Sequence, residues 1–220
     1  MVFFYTLPPK AHARGFRVYM GRDKFENEEL LAHGWENDVW FHVDNLSSAH
    51  VYLRLPEGDN ACSWEEIPPV VMKYCCQLVK NNSIEGCKKK ECFVIYTPFS
   101  NLHKDVNTMQ TGAVSFHDEA LRIRVRVEKD RELVKKIEKT KEDQGDLDFA
   151  ALKAEHDQVV LRRLKRERKA AAKAAKALKE QRKQQAYENS YDRLFEGGGA
   201  GASKDSDESE EEWIDEDNFM

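Results

Sequence analysis

The sequence predicts an α+β fold: a mixed, mainly antiparallel sheet with two packed helices, followed by a long charged helix and a disordered acidic tail. Three observations carry this. Short apolar runs, several alternating with period two, recur through the first 128 residues (FRVYM, VWFHV, HVYLRL, CFVIY, LRIRVRV). Only two helical patterns interrupt them, so runs of strands dominate and a doubly wound α/β fold is disfavoured. The composition then changes at Glu128: 16 of the 22 aromatic residues lie before it, residues 129–202 carry a net charge of +5, and residues 203–220 carry −8. The overall charge of −5 therefore hides a dipolar chain, divided into 1–128, 129–196 and 197–220.

The elements follow in order. Val2 to Tyr5 is an apolar run ended by Pro8-Pro9 and reads as an edge strand. Phe16 to Met20 alternates as a half-buried strand and Gly21 ends it. Phe25, Leu30 and Leu31 suggest a helix to His33, closed by Gly34. Val39–Val43 and His50–Leu55 form an antiparallel hairpin across a short polar connection. Ser63 with Glu66 has the capping-box spacing, while Pro68-Pro69 marks the alternative start of a helix to Asn82. Val70, Val71, Tyr74, Cys75, Leu78 and Val79 give that helix one apolar face. Cys92 to Tyr96 is a strand stopped by Pro98, and Gly112–Phe116 pairs with Leu121–Val127 across the turn His117-Asp118-Glu119. A short charged helix runs from Glu128 to Lys141, and Asp148 caps a second one reaching about Phe195.

No stretch approaches the ~18 consecutive apolar residues of a membrane span, and MVFFYTLPP lacks the basic start and long apolar core of a secretory signal. Five cysteines, odd in number and without a CxxC pair, suit reduced thiols in the cytoplasm and also the nucleus. No cofactor is expected. His42 and His50 have no third ligand at close spacing, so they make a poor metal site. Ser47, Ser48 and His50 lie in no nucleophile motif, so no enzymatic role is expected.

Strand parity sorts the side chains. Val39, Phe41 and Val43 share one face with Val51, Leu53 and Leu55. That leaves Trp40, His42, His50, Tyr52 and Arg54 on the other, joined by Arg17 and Tyr19. Arg122, Arg124 and Arg126 form a row with about 6.8 Å between successive members. If this face is open to solvent, its rings stack on unpaired bases and its guanidinium groups meet phosphate. The opposing reading is a second small core under a helix or loop, because aromatic residues are usually buried. The loop Gly21-Arg22-Asp23-Lys24 precedes a helix whose first N–H groups suit a phosphate, and glycine there permits close backbone approach. Asp38 either orients His42 or Arg22 or ends its strand, and Asn27 either joins the site or caps the helix.

Gly21, Arg22, Asp23, Asn27, Asp38, Trp40, His42, His50 and Val51 together follow a spaced pattern. It resembles the RNA-binding domain of the NFACT family, with Ser48 and Ala49 standing where that family has Gly-Ser. The resemblance implies tRNA or rRNA as ligand and a setting in translation or ribosome-associated quality control. Candidate RNA contacts are Gly21, Arg22, Lys24, Asn27, Trp40, His42, His50 and Arg54.

Residues 161–185 hold 11 basic and two acidic side chains on a helix with good propensity. Arg162, Arg163, Lys165 and Arg166 are candidate phosphate contacts without sequence preference, which makes DNA an alternative ligand. Val160, Leu164, Ala171, Ala175 and Leu178 approximate a heptad seam, so an adaptor using a coiled-coil partner is the reading from another class. The tail carries nine acids and one base from Ser203 onward and is a candidate competitor of RNA for the basic helix.

Overall fold

The computed structural model describes residues 2–105, 107–145 and 147–188. The tail beyond residue 196 and the helix end at 189–195 lie outside the described residues. Residues up to Val160 form one compact unit. Its elements are β1 (Val2–Tyr5), α1 (Pro9–Ala13), β2 (Arg17–Gly21), α2 (Lys24–Ala32), β3 (Asp38–Val43), β4 (Val51–Arg54), α3 (Pro69–Asn81), β5 (Glu91–Pro98), β6 (Leu102–His103), β7 (Ser115–Phe116), β8 (Ile123–Glu128), α4 (Arg131–Glu138) and β9 (Lys141–Asp143). Helix α5 (Phe149–Glu188) begins in this unit.

Seven strands make one sheet in the order β8-β5-β3-β4-β2-β1-β9, and every pairing is antiparallel. The α+β class is therefore as the sequence indicated. The hairpin register pairs Val39 with Leu53 and Phe41 with Val51. Those side chains lie in the main core, under the apolar face of α3. The capping box of Ser63 and Glu66 is present, but on a single 3-10 turn (Trp64–Glu66), and Pro69 opens α3. Asp148 accepts the Ala151 N–H at 2.9 Å and starts α5 as expected.

Several expectations are corrected. β1 is not an edge, because β9 pairs along its outer side. The Gly112–Phe116 and Leu121–Val127 segments do not pair with each other: β7 pairs with β6 and β8 pairs with β5. Gly34 is required by packing, since a Cβ there would stand 2.1 Å from the Phe99 ring. Ile137 of α4 lies in the main core, so the folded unit continues past residue 128.

The largest correction concerns the second face of the sheet. Parity assigned its residues correctly, but the face is covered. Val2, Tyr19, Leu30, Trp40, Tyr52 and Ile95 form a second core, with Phe99, Leu102, Val114, Phe116 and Phe149 packed against it. Trp40 is 2% exposed and Tyr52 is fully buried. Phe99, Leu102, Val114 and Phe116, from stretches short in apolar periodicity, cover the aromatic rings. Among the described residues, no helix is long and apolar enough to cross a membrane.

Candidate nucleic-acid interface

The buried polar groups of the second face form two hydrogen-bonded clusters. In the first, Trp40 Nε1 donates to His50 Nδ1 at 2.8 Å, with Asn27 Nδ2 3.1 Å from the same nitrogen. Indole N–H only donates, so Nδ1 of His50 is the acceptor and the neutral ring carries its proton on Nε2. Tyr52 donates to Asn27 Oδ1 at 2.7 Å. Burial, with the nearby His42 adding to it, lowers the His50 pKa to about 3. His42 stacks parallel on Trp40, and burial lowers its pKa as well. Trp40 is thus a wall support and offers no face to a base. Asn27 neither caps the helix nor faces water.

The second cluster surrounds Asp38, whose carboxylate accepts from Tyr19 Oη at 2.6 Å, Trp35 N at 2.9 Å, and Arg54 Nε at 2.9 Å. Arg54 also lies 3.5 Å over the Trp35 ring, which stacks on His156 of α5. Asp38 therefore orients neither His42 nor Arg22. Arg54 holds this cluster together and stands apart from the other predicted contacts.

Those other contacts converge. Gly21, Arg22, Lys24, Asn27, His42 and His50 all line one groove of about 690 Å³ between the β2–α2 turn, the 47–49 turn and the 110–113 loop. The loop is pinned from behind. Lys104 Nζ bonds Glu28 at 3.0 Å and the carbonyls of Gln110 and Ala113, and Glu28 accepts the Gly112 N–H. The start of α2 is not the anion site that its sequence suggested. Asp23 Oδ1 caps the Phe25 and Glu26 N–H groups, and Glu26 takes the Arg22 N–H at 2.8 Å. Gly21 serves packing rather than ligand approach, since a Cβ would meet Asn27 N at 3.1 Å.

What the groove presents outward is side-chain chemistry. The Arg22 side chain is half exposed and Lys24 is exposed. Phe25, beneath the Lys24 ammonium at 5.1 Å, is 66% exposed. Ile84, also exposed, stands on the opposite rim. Sequence reasoning assigned Phe25 to the apolar side of α2 and passed over Ile84 and the 110–113 loop. The signal for Phe25 was its place beside Arg22 and Lys24 at a capped helix start. The arginine row is largely neutralised: Arg122 pairs with Glu119, Arg124 with Asp44 and Arg126 with Glu91. On α5, Arg162, Arg163, Lys165 and Arg166 are solvent-exposed. No cluster of three or more His, Cys, Asp or Glu side chains able to hold a metal occurs among the described residues.

The NFACT protein RNA binding domain family matches residues 1–118, more than half of the chain. The chain belongs to this family. The NFACT domain here is also similar to curated relatives. Coiled-coil domain-containing protein 25 of Danio rerio is 47% identical over 162 residues, which cover 71% of this chain and 73% of that protein. The Coiled-coil domain-containing protein 25 homolog of Dictyostelium discoideum is 47% identical over 143 residues, 64% of this chain and just under two thirds (65%) of its own length. The C-terminal part of the fibronectin/fibrinogen-binding protein from Streptococcus suis is similar at a TM-score of 0.47 and 20% identity, over 63% of this chain and 48% of that one.

Proposed function

We propose that the protein binds RNA, tRNA or rRNA, at the groove of the NFACT domain in support of translation or ribosome-associated quality control, and that it does so without catalysis. The observation that carries this is the convergence of Gly21, Arg22, Lys24, Asn27, His42 and His50 on one groove lined by two basic side chains, with the exposed Phe25 ring under Lys24 outside its lining. Arg22 and Lys24 meet phosphates, Phe25 stacks on an unpaired base, and the groove beneath receives a nucleotide edge. The basic residues of α5, Arg162 to Arg166, add sequence-blind phosphate contacts. A rigid polar wall suits binding better than proton transfer, because a histidine with its pKa near 3 and its Nδ1 occupied is a weak base at neutral pH. The reading places the protein in the cytoplasm, in contact with ribosomes or their tRNA, and also in the nucleus.

Fluorescence anisotropy with single-stranded RNA and with a duplex of the same length tests this. Phe25→Ala is expected to weaken single-strand binding by about 1–3 kcal/mol and to change duplex binding little. Equal loss on both, or none on either, removes the stacking role.

A second reading, an adaptor that pairs α5 with another helix, is favoured by the exposure of Leu161, Leu164 and Leu178. Sedimentation of the intact protein separates the two: a monomer with RNA affinity supports the first.

A further inference from the structure

The sheet ends at β8, and that edge carries a second site-like feature away from the groove. Lys129 N–H donates to the Lys90 carbonyl at 2.9 Å, continuing the register that pairs Glu91 with Glu128. Antiparallel pairs alternate between bonded and unbonded. Val127, Val125 and Ile123 therefore turn their backbone groups toward β5. The Asp44 N–H bond to the Phe93 carbonyl fixes the same phase from the other side of β5. Arg124, Arg126 and Glu128 turn theirs outward. Gln77 takes the Glu128 carbonyl, which leaves the N–H and C=O of Arg124 and Arg126 aimed away from the sheet.

Beside this edge runs a cleft of about 940 Å³ between α3 and β8. Its floor is apolar, with Met72, Cys76, Val125 and Val127. The cover that α3 gives β8 runs out along the strand: Val127 is buried, Val125 half-buried, and Ile123 36% exposed. The rim is basic on balance. Lys88, Lys89, Lys90, Lys129 and Arg131 stand at one end of it beside Glu128, Asp130 and Glu132; Asp130 is paired with Lys73 and Glu132 with Lys135, and Lys129 Nζ bonds the Cys87 carbonyl at 2.6 Å. The turn that carries the three lysines is held in place by the buried Lys80, whose Nζ bonds the carbonyls of Gly86 at 2.8 Å and Lys89 at 2.9 Å.

We propose that this edge and cleft bind an acidic, extended peptide segment of a partner protein, added as a further strand along β8. Main-chain bonds to Arg124 and Arg126 supply the register, and alternate side chains face the cleft. Apolar ones cover Val125 and Met72. Acidic ones meet the cations at the Lys129 end. An RNA strand would use the lysines but neither the apolar floor nor the strand edge, so peptide is the better match. The Arg124 and Arg126 side chains are already paired with Asp44 and Glu91.

The test uses the full chain and a capped fluorescent peptide in which four glutamates are followed by alternating valine and threonine, so that a strand added antiparallel to β8 sets the acids at the Lys129 end. Measured by anisotropy, this probe is expected to bind. Methylating alternate backbone nitrogens of the peptide, or changing Lys88, Lys89 and Lys90 to Glu, each reduces affinity roughly ten-fold or more. Arg126→Pro, which removes an outward N–H and leaves the β5 ladder intact, does the same. Equal binding by a scrambled peptide, no effect of N-methylation, or displacement of the probe by oligouridylate from the unaltered protein but not from the lysine variant would each overturn the proposal. The N-methylated arm is independent of any variant's folding.

Discussion

Trp40 and His50 are joined by a 2.8 Å hydrogen bond from the indole nitrogen to Nδ1, ten residues apart in sequence and diagonal across the β3–β4 hairpin, where Trp40 pairs directly with Tyr52. This bond turns two residues of an apparent binding face into the framework of a groove. Trp40→Phe keeps an aromatic ring on the sheet but removes the donor and the second ring of the indole, leaving a small cavity in a packed site. It is expected to destabilise the fold by about 1–3 kcal/mol in urea denaturation. RNA affinity of the folded protein should stay within about two-fold, whereas a stacking tryptophan would lose its roughly 1–3 kcal/mol of binding with little change in stability.

Protonation of His50 should act on stability in a defined window. Its folded pKa lies near 3, below the ordinary value of 6.5. Between these values the unfolded chain binds the extra proton, so stability rises with pH there and is lost as pH falls below about 6.5. His42 is lowered as well and adds in the same direction. Above the carboxylate range, from pH 5 to 6.5, the His50 contribution tends toward a slope of about 1.4 kcal/mol per pH unit for one proton. Denaturation of the unaltered protein and His50→Gln across that range checks it. The variant should show a clearly shallower slope.

The Asp38 carboxylate, with no exposed side-chain surface, is matched by Arg54 and Tyr19. Arg54→Leu leaves a buried charge without its guanidinium and should cost about 3–5 kcal/mol, while Asp38→Asn with Arg54→Leu together recover part of that loss. Thermal unfolding of the two single variants and the double variant gives the coupling. RNA binding of the folded fraction should be unaffected, because Arg54 lies outside the groove.

Gly34→Ala places a methyl against the Phe99 ring and should destabilise by about 1–3 kcal/mol, with a change in near-UV circular dichroism from the second core.

The sequence made the sheet legible because period-two alternation survives in β2, β3, β4 and β5. It also separated Trp40, Tyr52 and Tyr19 from Val39, Phe41 and Leu53. It did not show that the first set is buried, because parity distinguishes two faces without saying what lies over either. The cover comes from Phe99, Leu102, Val114 and Phe116, spread over a loop-rich segment with only two-residue strands. Six of the eight domain contacts expected from the sequence line one groove, but with parts other than those expected. Gly21 and Asn27 serve packing and hydrogen bonding, and the exposed ring is Phe25 rather than Trp40. Strand β9, three charged residues long, has no periodic signal and exists because β1 presents a free edge to it.

The salt dependence of RNA binding in the Arg22→Ala/Lys24→Ala double variant bears most directly on the groove as the RNA contact. Plotted as log affinity against log salt, its slope should fall by about 1.4 relative to the unaltered protein, about 0.7 for each lost single-strand phosphate contact, with affinity down roughly ten-fold or more. A variant that retains the full slope and affinity while folding normally would contradict it.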